Sequence, residues 1–131
     1  MTDLIRLTAV FIRANVNSDE ALNAADVLAN VTEGNIPIET AVSVISSLLN
    51  RKVEVRDCVP NMATAFVLTS IKELRKAIHD GEIGLAYDIA DIMQAFPENE
   101  HLSNKKAVSA FNKTYIMKFN KKHGIKLPMI V

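Results

Sequence analysis

Apolar residues recur along this chain at spacings of three and four, the period of a helix with one buried face. The clearest run is 60–79. There Ala63, Phe66, Val67, Ser70, Ile71, Leu74, Ala77 and Ile78 share one side, and Lys72, Glu73, Arg75, Lys76 and His79 cover the other. Asp80-Gly81 makes a tight exit and residues 81–96 turn straight back, so about 60–96 is expected to form an antiparallel αα-hairpin. The returning helix carries Ile83, Leu85, Ala86, Tyr87, Ile89, Ala90, Ile92, Met93 and Phe96, leaving a narrow polar strip of Gly84, Asp88 and Asp91. Such a helix is either central in its bundle or shared with a partner.

The flanking segments fit the same scheme. Residues 2–15 are apolar over most of a helical circumference, with only Arg6 and Arg13 clearly seeking water, as in a buried helix. Asn17 to Glu20 has the form of a capping box opening a second helix, whose stripe is Leu22, Ala25, Val27, Leu28 and Val31, with Gly34 at its end. Pro37 suits the first turn of a third. β-Branched Val42, Val44, Ile45, Val53 and Val55 partly alternate, so residues 52–57 read as a short strand or an extended connector. One strand makes no sheet, and the prediction stays all-α.

A last amphipathic helix is predicted from about Ser103 to His123, closed by Gly124 and kept from resuming by Pro128. Ile125, Leu127, Met129 and Ile130 are then expected to pack on the bundle or on a partner. The sum is a single compact all-α bundle of five to six helices, residues 1–131 as one domain, with 124–131 an apolar tail.

Composition narrows the setting. The 131 residues are 49% hydrophobic and 23% charged with zero formal net charge, ordinary for a globular domain and wrong for a generic polyanion binder. Charge is segregated, however. Residues 77–104 hold six acids and no Lys or Arg, whereas 105–131 hold seven lysines and no acid. The single Cys58 excludes an internal disulfide, and no Cys/His cluster suits zinc. The opening residues lack the pattern of a secretory signal and no apolar run approaches membrane-spanning length, which gives the expectation of a soluble cytoplasmic protein, bacterial or phage in type. The stretch from Gly81 to Pro97 resembles the second helix of a tetratricopeptide repeat in the placement of Gly81, Ala86 and Pro97. The aromatic pattern of that family's first helix and any second copy are missing, so no family residue is carried across.

Candidate chemistry is sparse. His79, His101 and His123 are far apart in sequence, and two of them sit at predicted helix ends, where imidazole complements exposed carbonyls. No nucleotide, hydrolase or metalloprotease motif occurs. Cys58 lacks a placed base, and Asp88 with Asp91 reads as the wet strip of a greasy helix rather than a metal pair. The expectation is a protein without catalysis, cofactor or metal.

The final helix is the best functional candidate. Phe111, Tyr115 and Phe119 form a stripe that Val108 extends, while Lys106, Lys113, Lys118 and Lys121 fall on the opposite side. Aromatics segregated from lysines suggest a packed helix with a solvated back rather than a base-stacking surface. Surplus apolar surface then points to a regulator, inhibitor, immunity-type protein or adaptor that binds another protein or a second copy of itself. Ile89, Ile92, Phe96, Phe111, Tyr115, Phe119, Leu127 and Ile130 are the candidate contact residues. The alternative is nucleic-acid binding through Lys106, Lys113, Lys118 and Lys121.

Overall fold

The computed structural model describes residues 2–50, 64–96 and 103–130, and these fold as a bundle of six helices without a strand. The possible strand at 52–57, Cys58, the start of the hairpin's first helix, Glu98, Glu100 and His101 lie outside the described residues. The helices are α1 (Thr2–Ala14), α2 (Asp19–Thr32), α3 (Ile38–Leu49), α4 (Thr64–His79), α5 (Ile83–Gln94) and a C-terminal helix, α6. Three consecutive stretches make up α6: Lys105–Phe111 is α-helical, Asn112–Met117 is π-helical and Lys118–His123 is α-helical again.

The ends follow local chemistry. Ser18, not Asn17, caps α2: its hydroxyl accepts the Ala21 N–H at 3.2 Å and donates to the Asn15 carbonyl at 2.7 Å. The cap is therefore one residue later than expected, held by the Asn15 carbonyl, and with Ala21 three residues on the reciprocal half of a capping box is missing. Pro37 sits just before α3 rather than within it, in extended backbone. The α4–α5 turn is a Schellman closure, with Glu82 N–H donating to Ala77 O at 2.8 Å and Gly81 N–H to Ile78 O at 3.2 Å. Gly81 takes φ +75°, which only glycine adopts without penalty.

The core runs through the whole set. α1 lies against α5 and α2, and α2 also packs on α4 and α3. α2 meets its neighbours through Ala21, Ala24, Ala25, Leu28 and Ala29, all buried, while Leu22, Val27 and Val31 stay half-buried at the margins. The expected stripe is thus rotated toward the alanines, whose small side chains admit close helix approach. α5 is central: Ala86, Ile89, Ala90, Ile92 and Met93 are all buried. Phe66 of α4 stacks on Phe96 at 5.6 Å between centroids, and Phe111 of α6 meets both edge-on at 5.7 and 6.0 Å. Among the described residues no helix is long and apolar enough to cross a membrane.

Among the described residues two core hydroxyls have no hydrogen-bond partner, Thr8 Oγ1 on α1 and Ser70 Oγ on α4, and both residues are fully buried. A buried unpaired hydroxyl costs about 1–3 kcal/mol. Thr8→Val keeps the shape and removes the polar atom, so it is expected to raise stability by about 1 kcal/mol in urea denaturation. A loss of similar size would show that the hydroxyl is paired in solution.

Candidate functional site

α6 is where the charged and aromatic residues singled out by sequence converge, and its π stretch decides how they are arranged. At about 100° per residue throughout, Phe119 would lie about 80° and His123 about 120° around the helix from Phe111. The wider π turns absorb about one residue. Phe119 and His123 then come within about 20° of Phe111, and Ile116 within about 40°. Burial follows this shifted register. Phe111, Ile116 and Phe119 are buried, Ile116 completely, whereas Tyr115 is only half-buried. The stripe expected at Phe111, Tyr115 and Phe119 is thus corrected at its centre, with Ile116 in the core position.

The same shift aligns Asn112 with Asn120, eight residues on. Gly124 (φ +66°) ends α6 as the sequence suggested, and the chain folds back along the helix. Asn120 then grips both polar groups of one tail residue. Its Nδ2 donates to Leu127 O at 3.1 Å, and its Oδ1 accepts from Leu127 N–H at 2.9 Å. Asn112 does the same at Ile130, at 2.9 Å in both directions. Leu127 and Ile130 are buried and Ile125 packs against the core, but Met129 is 47% exposed, against expectation. Leu127 and Ile130, three residues apart, both turn inward, and Met129 between them faces out. Sequence reasoning missed both asparagines; the available signal was two amides eight apart beside an apolar tail.

At the end of α6 a polar cluster joins the acidic and basic segments. Asp88 Oδ2 lies 2.9 Å from Lys122 Nζ and 2.8 Å from His123 Nε2, and the His123 ring is tilted against Phe119 with centroids 4.6 Å apart. One turn on, Asp91 is 3.3 Å from Arg13 of α1, whose guanidinium lies 4.5 Å over the Tyr87 ring. The wet strip of α5 is therefore committed to ion pairs with α1 and α6. Among the described residues no group of three metal-ligating side chains occurs, and no hydrogen bond links His123 to a hydroxyl or thiol.

Desolvation acts to raise the Asp88 pKa, but hydrogen bonds and charge from Lys122 and His123 prevail and hold it below its ordinary 3.8. The carboxylate is thus stabilised by folding. Its contribution is complete above the unfolded value and is lost as pH falls through the lower folded one. Thermal unfolding of the wild type and Asp88→Asn is expected to differ near neutral pH, with the difference closing below about pH 4. A difference independent of pH would exclude the ion pair as its cause.

The expected contact residues prove largely internal. Ile89, Ile92, Phe96, Phe111, Phe119, Leu127 and Ile130 are at most 5% exposed, and Tyr115 is half-buried against Phe111 at 5.4 Å. They fill the bundle because α5 and the tail are enclosed by the chain itself. Lys106, Lys113, Lys118 and Lys121 are exposed as expected.

Apolar surface remains elsewhere. Ile83 is 44% and Tyr87 40% exposed, one turn apart at the start of α5. With Leu85, Ile125, Lys122 and His123 they line an open groove of about 660 Å³ between α5 and the end of α6. Comparison with known proteins finds no matching family, no similar characterised protein and no similar solved structure.

Proposed function

We propose that this protein acts without catalysis by binding another protein, as a regulator, inhibitor, immunity-type protein or adaptor, through the groove at the start of α5. The observation that carries this reading is the grouping of Ile83, Leu85, Tyr87 and Ile125 around one concavity bordered by Lys122 and His123. Scattered exposed apolar residues are normal on any protein, but a grouped set with an aromatic at its edge has the composition of an interface centre. The tyrosine is pre-oriented by Arg13 above its ring, which lowers the entropy lost on docking.

Affinity capture from the native host tests this with the wild type and Ile83→Glu side by side. A stoichiometric protein partner retained by the wild type and lost by the variant, at unchanged melting temperature, is the expected outcome. Equal retention by both would place the interface elsewhere. Exposure of Lys106, Lys113, Lys118 and Lys121 supports nucleic-acid binding as the second reading. It requires affinity for random duplex at low salt, with the logarithmic salt slope falling by about one for each phosphate-contacting lysine replaced by alanine.

A further inference from the structure

α6 and the tail are held by separate sets of contacts. The helix docks on the bundle through Phe111 against Phe66 and Phe96, and through Lys122 and His123 on Asp88. The tail's hydrogen bonds, among the described residues, all run to Asn112 and Asn120. Each asparagine offers one donor and one acceptor to one residue's backbone, as a neighbouring strand would, while the buried Leu127 and Ile130 side chains set the position along α6. Such a clamp recognises an extended segment with two apolar side chains three residues apart. It does not depend on that segment belonging to the same molecule.

We propose that residues 125–130 exchange between two copies, each tail occupying the Asn112–Asn120 clamp of the other. The second copy is the occupant that the structure supports, because its tail fits every contact already observed, and reciprocal exchange closes a two-fold dimer with both clamps filled. Closed monomer and exchanged dimer then share the same tail contacts and differ chiefly at the hinge. That hinge is Gly124, whose φ of +66° makes the reversal in the monomer and whose Cβ position is open space. Glycine takes the turned and the straightened backbone at similar cost, so the hinge favours neither form strongly, and Pro128 keeps the released segment from continuing as helix. The proposal uses neither Ile83 nor Tyr87 and does not rest on the groove reading, although Ile125 of the exchanging segment also lines that groove.

The test is light scattering on the full chain from about 10 µM to about 1 mM, before and after refolding from denaturant at the upper concentration, since exchange is driven by mass action. A dimer that accumulates after concentrated refolding is expected. In Gly124→Ala the left-handed turn is penalised only in the closed form, and each dimer relieves two such hinges, so the association constant should rise about 30- to 1,000-fold. In dimers refolded from equal parts of isotope-labelled and unlabelled protein, isotope-filtered spectra should show Leu127 of one copy beside Asn120 of the other. A monomer in both proteins at about 1 mM after refolding would overturn the proposal, as would a dimer without the intermolecular Leu127–Asn120 contact. If Gly124→Ala does not fold, the wild-type dimer and its filtered spectrum decide alone.

Discussion

Phe111→Ala is expected to cost about 3–5 kcal/mol of unfolding free energy, a large share of what a domain of this size has in total. Phe111 is 4% exposed and touches three rings, those of Phe66, Phe96 and Tyr115. Each edge-on pair contributes about 0.5–1.5 kcal/mol beyond area burial, and two such pairs are lost together with the packing of the vacated volume. The neighbouring exposed Lys113→Ala is expected to fall within about 0.5 kcal/mol of wild type. Urea denaturation of both variants gives the comparison. A loss below about 1 kcal/mol for Phe111→Ala would mean that α6 is not built into the core.

Ile116→Ala is expected to cost about 2–5 kcal/mol, more than Tyr115→Phe, which keeps the ring and removes only the hydroxyl. The order is informative because it depends on the π stretch. In an unbroken α-helix continuing from Phe111, position 115 lies about 40° away and faces the core, whereas position 116 lies about 140° away. The observed register exchanges their roles: Ile116 is fully buried and Tyr115 reaches solvent. A cost for Ile116→Ala of about 0.5 kcal/mol or less would restore the simple helix.

The helical class was legible because it rests on periodicity, which local sequence carries. Phe66, Val67, Ser70, Ile71, Leu74 and Ala77 of α4 are all buried as their spacing predicted, and Gly81 makes the expected tight exit, in left-handed geometry. Gly124 likewise ends its helix in the left-handed region. What could not be read was anything that depends on who packs against whom. α2 presents its alanines rather than Leu22, Val27 and Val31, since close approach of neighbouring helices favours small side chains over a larger apolar stripe.

The π insertion was hidden for a similar reason. A helical wheel assumes one angle per residue, so it placed Tyr115 in the stripe and passed over Ile116. The capacity of Asn112 and Asn120 to hold a tail appears only after that angle changes. The candidate contact residues are mostly internal in the folded chain, and apolarity alone does not distinguish a face turned to a partner from one turned to the chain's own tail. Asp88 was read only as part of the wet strip of α5. The particular partners, Lys122 and His123, required the turn of α6 to be known.

The register of α6 underlies the core position of Ile116, the alignment of the two asparagines and the approach of His123 to Asp88. Attenuation of side-chain NMR signals by a soluble paramagnetic probe tests it most directly, residue by residue, in the intact protein. With Ile116 fully buried and Met117 48% exposed, the Ile116 methyl signals should persist as strongly as those of Ile89, while Met117 and Met129 are lost. Bleaching of Ile116 together with Met117, with the Tyr115 ring protected, would contradict the account.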